Sequence, residues 1–316
     1  MRDFLTAYTA RVAGQAPVWS PLPVDYIDYT LWKHEYLGDF GDPYSRASTQ
    51  LRFWANNLVG RPAPLHLPFD RPRPVRANAD GDAVPLAVAA HLHADLLTRA
   101  RRSGASLLMV LQAAFALSVA AFAACPDVTV ATAVSGRVDP LLADLVGNLA
   151  DDVLLRVRLD RAADMDELLE QVRRVTLAAF ANPDTSNPRL QRCLPQDARH
   201  PLFQATLILQ RAAAADPEAF GSSDFSVTQV PTGVVRAKHD LEIGLTERYD
   251  HTGAPVGIDG LFVYPTALFD RATAERFVAK FTATVELIAA GYDGPITPLL
   301  LHGARRRGRR TGRVQA

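Results

Sequence analysis

His91 and Asp95 bracket the stretch HLHAD, and a histidine set just ahead of an aspartate is the smallest signature of several acyl-transferring enzymes. In such enzymes the histidine handles the proton of an attacking nucleophile. The same spacing puts two side chains on one face of any helix, so the pair serves equally as a solvated helix start. No glycine follows Asp95, and the second reading is preferred. Asp151 and Asp152 stand side by side in LADDVLLRV; on a strand they point to opposite faces, so one faces inward and needs a partner. His200, in RHPLFQ, precedes Pro201 and a strand-like run, a structural setting rather than a catalytic one. No Gly-rich phosphate loop, no G-x-S-x-G and no Cys or His pair at metal spacing occurs. No catalytic residue or metal ligand is therefore assigned, and these residues alone name no reaction.

The elements that must hold such residues are legible. Phe4, Leu5, Tyr8 and Val12 share one helical face, and Leu51, Trp54 and Leu58 share another. Tyr26 to Leu37 reads as a turn-rich helical stretch between them. The segment LHLPFDRPRPVRANADGDA, 65–83, carries three prolines and an Asn-Ala-Asp-Gly turn, so it is an extended connector. Strands are expected at 83–89, 127–134, 149–159, 203–210 and 256–264, and in HDLEIGLTE, where Leu241, Ile243 and Leu245 alternate with polar or small residues. Helices are expected at 91–103, 106–124 and 273–290. Another carries Met165, Leu168, Leu169, Val172, Val175 and Ala179 on one face, with Asp164 and Glu167 as a cap pair. Residues 212–224 (AAAADPEAFGSSD) read as a mobile loop. Alternation of this kind defines an α/β fold with a mixed sheet.

Composition narrows the class. Of 34 basic residues only three are lysine. The formal charge is zero, yet the tail after His302 holds six arginines and no acid, which leaves the preceding body at −6. An acidic body offers no second basic face, so nucleic acid is not an expected partner and the tail reads as a disordered end. SLLMVLQAAFALSVAAFAA, 106–124, approaches membrane-spanning length but carries Gln112 and Ser118, as the buried helix of a large domain would. Cys125 and Cys193 lie far apart, and the first residues lack a signal-peptide pattern, so a reducing, cytoplasmic setting is expected.

Seven stretches carry a resemblance: VDYIDYTLW (24–32), LPFDRPRP (67–74), VSGRVDP (134–140), LVGNLADDVLLRV (145–157), QDARHPLFQ (196–204), KHDLEIGLTE (238–247) and LFDRATAERF (268–277). In this order they resemble the condensation domains of nonribosomal peptide synthetases, from residue 1 to about 301. The resemblance implies a chloramphenicol-acetyltransferase-like lobe, its mixed sheet flanked by helices, plus a remnant of an N-terminal lobe. It divides the chain into a helical remnant (1–66), a Pro-rich connector (67–82), a C-terminal condensation lobe (83–302) and a basic tail (303–316).

The family reaction it implies joins two thioesters, held on the phosphopantetheine arms of carrier proteins, through an amide. The arms are substrates, no cofactor is bound, and the partners are carrier-protein domains and other synthetase modules, with no membrane. A histidine of His-His-x-x-x-Asp-Gly handles the proton or positions the amine. That motif is absent from this sequence; it would end just ahead of MRDFLTAY. The expectation is a truncated condensation domain without independent activity, the alternatives being a non-catalytic carrier-docking module and an acyltransferase with an unrecognised base. Ser135, Arg137, Asp151 and Asp152 are the substrate-tunnel candidates. Asp151 and Asp152 replace the asparagine and threonine usual in the family, and FANPDTSNPRL (180–190) departs from its pattern. Residues 1–60 would pack on a sheet absent from these residues, so Tyr26, Tyr29, Trp32 and Trp54 are expected to lose much of their burial.

Overall fold

The computed structural model describes residues 2–62, 64–76, 78–185, 189–190, 202–212 and 233–304. His200, Cys193, the 213–232 stretch and the arginine tail lie outside them, as does the middle of the 180–190 loop. Three helices come first: α1 (Arg2–Val12), α2 (Tyr26–Leu37) and α3 (Arg46–Leu58). Then follow β1 (Gly81–Val88), α4 (Ala90–Arg102), α5 (Leu107–Ala123), β2 (Asp127–Val134), β3 (Asp151–Arg158), α6 (Met165–Phe180), β4 (Ala205–Arg211), β5 (Leu241–Tyr249), β6 (Pro255–Pro265), α7 (Arg271–Ala289) and α8 (Thr297–Ala304).

The strands form one sheet in the order β1-β6-β5-β4-β2-β3. β4 runs parallel to β2 and to β5, while the other three pairings are antiparallel, which makes the sheet mixed. β3 is an edge strand, and an unpaired edge invites aggregation. Gln171 of α6 blunts it: its Oε1 accepts from the Arg158 backbone N–H at 2.6 Å and its Nε2 donates to the Arg158 carbonyl at 3.0 Å.

Helix α5 is the centre of the core. Its side chains are buried on every face, and Ser106 caps it by accepting from the Met109 N–H. Phe115 meets Phe277 and Phe281 of α7 edge-on, and Phe277 stacks on Phe262 of β6 at 4.8 Å, which binds helix layer to sheet. The polar residues in this helix bond inside the core, Gln112 donating through Nε2 to the Leu207 carbonyl while its Oε1 is buried without a partner, and Ser118 donating to the Ala114 carbonyl. Among the described residues no single helix is long and apolar enough to cross a membrane.

The capping expected at α6 is present: Asp164 Oδ1 accepts from the Glu167 N–H at 2.9 Å, and Glu167 reaches back to the Ala163 N–H at 2.8 Å. One expectation fails in part. Tyr26 and Trp32 stay exposed, Trp32 at 52 %, but Trp54 and Tyr29 are buried to 2 % and 6 %. Trp54 reaches the main core, where its indole N–H donates to the Asn182 carbonyl at 2.9 Å, just past α6. The first helices therefore dock on the lobe itself, because Trp54, Leu58 and Leu65 find apolar partners there.

Candidate functional site

VDYIDYTLW and LVGNLADD, far apart in sequence, form one unit. Tyr29 joins Leu142, Leu145 and Leu149 in a second small core. The Tyr26 hydroxyl donates to the Asn148 carbonyl at 3.1 Å, and the Tyr26 ring lies so close to Gly147 that a Cβ there would sit 2.2 Å from it. Glycine at 147 is thus what lets α2 seat on the loop between β2 and β3.

That loop holds two of the four candidates. Ser135 and Arg137 are both exposed, and the Arg137 Nη2 donates to the Leu145 carbonyl at 3.0 Å. Arg137 orders the loop and borders a shallow depression of about 310 Å³ beside Asp144 and Gly147. Gly136 between them has φ +66°, and a Cβ there would stand 2.0 Å from the Leu149 carbonyl oxygen. Only glycine fits this turn.

Asp151 and Asp152 open β3, opposite Val134 and Ala133 of β2. Both are half-buried, and burial pushes the Asp151 carboxyl above its usual range. Lys33 of α2 partly offsets that burial, as does the Asp152 N–H, which donates to Asp151 Oδ1 at 2.9 Å. Lys33 Nζ also lies 3.6 Å from Asp184 Oδ1 and 5.7 Å from the centre of the Tyr29 ring. Burial alone would lower the Lys33 amine, yet Tyr29, Asp184 and Asp151 together raise it, so it stays charged. Asp184 is gripped by Gln50 of α3, which donates through Nε2 at 2.8 Å and accepts the Asp184 N–H at 2.9 Å.

The result is a half-buried cluster of Lys33, Gln50, Asp151 and Asp184 where α2, α3 and β3 converge. It can hold an amine or ammonium near a carboxylate whose proton affinity is raised, which suits proton exchange with an attacking nitrogen. His239 comes within electrostatic reach of Asp152; burial pushes its imidazole below the ordinary histidine range, partly offset by Glu242, Asp152 and Asp240. Lys33, Gln50 and His239 escape sequence reasoning. The signal for Lys33 was its type, since three lysines stand among 34 basic residues.

HLHAD is resolved in the same detail. His91 and Asp95 are exposed at the start of α4, as expected. The middle histidine, His93, is fully buried, its ring edge-on to Tyr249 at 5.2 Å and its Nε2 3.8 Å from Glu247 Oε2. Among the described residues no three His, Cys, Asp or Glu side chains are grouped to hold a metal.

A single mixed α/β sheet with helices packed around an apolar central helix, bearing a polar cluster at the edge strand, defines the class. The condensation-domain family model matches residues 1–306. The chain is 40 % identical over 97 % of its length to CymA of Salinispora arenicola, described as a probable non-canonical nonribosomal peptide synthetase, and covers 4 % of that protein. It is 36 % identical over 93 % of its length to the dimodular nonribosomal peptide synthase of Bacillus subtilis, covering 12 % of it. Among solved structures, the X-domain in complex with OxyB from teicoplanin biosynthesis superposes with a TM-score of 0.83 and 28 % identity, over 94 % of this chain and 65 % of that one. The chain belongs to the condensation-domain family of nonribosomal peptide synthesis, with the chloramphenicol-acetyltransferase-like fold. It spans a small part of the synthetases it matches.

Proposed function

We propose that this chain forms the carrier-facing part of an amide-forming condensation apparatus and does not run the reaction alone. The observation that carries this reading is the family match over residues 1–306 together with the absence of His-His-x-x-x-Asp-Gly from the sequence. The reaction would join two carrier-bound thioesters: the acceptor amine attacks the donor carbonyl, the thiol of the donor arm leaves, and the amine proton passes to a base. The phosphopantetheine arms are substrates, no bound cofactor takes part, and the setting is cytoplasmic. Ser135 and Arg137 shape the wall, Asp151 faces the acceptor amine with Lys33 setting its charge, and Asp152 lies beside it. The proton-handling histidine, worth about 10²–10⁴-fold, comes from a segment other than residues 1–316.

The experiment has three arms: this polypeptide; the polypeptide with a family segment bearing His-His-x-x-x-Asp-Gly; and the same pair with the second motif histidine changed to alanine. Dipeptidyl product on the acceptor carrier is followed by mass spectrometry. Product in the second arm alone is expected. Equal product in the first arm overturns the reading.

A second reading, a non-catalytic docking module, is favoured by the likeness to the teicoplanin X-domain, solved in complex with OxyB. Carrier or partner binding with no product in any arm selects it.

A further inference from the structure

A groove of about 440 Å³ runs between α3, β3 and α6, at the other end of β3 from Asp151. Trp54 and Leu154 contribute to its wall, and Arg156, Arg158, Arg161 and Arg174 line it. The charge in it is unbalanced. Asp127 is committed to Arg156, accepting from its Nε at 3.0 Å and its Nη2 at 2.7 Å. The remaining hydrogens of Arg156 go to the carbonyls of Asn57, Val59 and Gly60 at the end of α3. Arg156 is therefore a structural clamp with nothing left to give a ligand.

Its neighbours are different. Arg158 lies 3.9 Å from Asp127 and 3.8 Å from Asp160, beyond hydrogen-bonding distance, and its Nε is buried without a partner. Arg161 and Arg174 are exposed and make no hydrogen bond or ion pair among the described residues. Behind the groove, Arg61 keeps a buried, unpartnered Nη2 and is pushed below the usual arginine range by burial and by the like charge of Arg156. Elsewhere arginines meet carboxylates, as in Arg71–Asp270, Arg73–Asp240, Arg99–Asp166 and Arg271–Asp82. Leaving a buried guanidinium donor unpaired is costly, and a concave low-dielectric wall focuses the resulting positive potential.

We propose that the groove between α3, β3 and α6 is a binding site for a phosphate-bearing ligand, held by Arg158, Arg161 and Arg174. Three guanidinium forks approach from three elements: β3, the turn after it, and α6. One fork satisfies a planar carboxylate, whereas several forks from different directions match the oxygens of a tetrahedral phosphate. The volume accommodates more than a bare ion, so the phosphate is part of a larger molecule lying along the Trp54 wall. The groove lies at the other end of β3 from the Asp151 cluster, and its assignment does not depend on the role given to that cluster.

Inorganic pyrophosphate titrated into the full chain by calorimetry at low ionic strength is the test. Saturable one-to-one binding is expected. Arg158→Gln, and separately the double variant Arg161→Gln/Arg174→Gln, should each weaken it by about tenfold or more, the loss of one charge-assisted hydrogen bond. Arg248→Gln, in an exposed pair on β5, three strands from β3 in the sheet order, should leave affinity unchanged. The double variant touches only exposed side chains, so it keeps the test valid if Arg158→Gln unfolds. ATP and phosphopantetheine are then competed against pyrophosphate to separate a nucleotide from a carrier arm as the source; displacement by either one supports the site. No saturable binding, equal weakening by Arg248→Gln, or failure of both competitors to displace pyrophosphate overturns the proposal.

Discussion

The connector is held to the sheet by a buried ion pair, and its two halves are not equivalent. Asp240, at the start of β5, is 4 % exposed in its side chain and accepts from Arg73 of the connector and from Gln204 Nε2 at 2.9 Å. Gln204 also bonds both backbone groups of Leu65, so four segments meet here. Arg73 is 23 % exposed and its stem packs over Phe69. Arg73→Met keeps that packing but leaves a buried carboxylate without its cation, at a cost of about 3–5 kcal/mol. Asp240→Asn keeps an acceptor for Gln204 and lets Arg73 turn toward water, so it loses one charged hydrogen bond, about 1.5–3 kcal/mol. In the double variant no buried charge remains, and it should be more stable than Arg73→Met alone by at least about 1 kcal/mol. Urea unfolding of the four proteins followed by tryptophan fluorescence reads all three values. If Asp240→Asn proves costlier than Arg73→Met, or the two losses simply add, desolvation of the carboxylate is not what governs this joint.

Four further outcomes are expected. Trp54→Ala should cost about 3–5 kcal/mol by cavity formation, and Trp54→Phe about 1 kcal/mol through the lost hydrogen bond to Asn182; denaturant midpoints check both. Asp151→Asn should raise the melting temperature at neutral pH, because burial raises the folded-state pKa above the unfolded value of 3.8 and makes the charged form the unfavourable one. Its advantage should shrink toward pH 4 as the aspartate protonates, and an advantage that grows there would contradict the raised pKa. His93 has a folded-state pKa below its ordinary 6.5, so its neutral form supports the fold above that pH and stability falls as pH drops through it; His93→Leu should flatten that slope in thermal melts. Replacing the exposed His91 and Asp95 with alanine should shift stability by less than about 0.5 kcal/mol, and a large fall in any activity without unfolding would restore HLHAD as a site.

Local pattern alone determined most of the architecture. The strand at 127–134, the caps of α6, the proline-rich connector and the all-round apolar α5 follow from periodicity, capping chemistry and the backbone limits of proline, each acting over a few residues. Ser135 and Arg137 were legible only through their resemblance to a family, while Asp151 and Asp152 also stood out as adjacent acids on a strand. What made them a site was decided by chain folding across large separations: Lys33 and Gln50 reach Asp151 and Asp184 because Tyr26 finds Gly147. Nor could spacing show that His93, not His91, is the buried histidine of HLHAD, since burial depends on which face of α4 meets β6. Trp54 shows the same limit: its burial rests on a lobe partner more than a hundred residues away. Short-range physics writes itself into adjacent residues, whereas desolvation and charge pairing belong to neighbours that exist only once the chain has closed on itself.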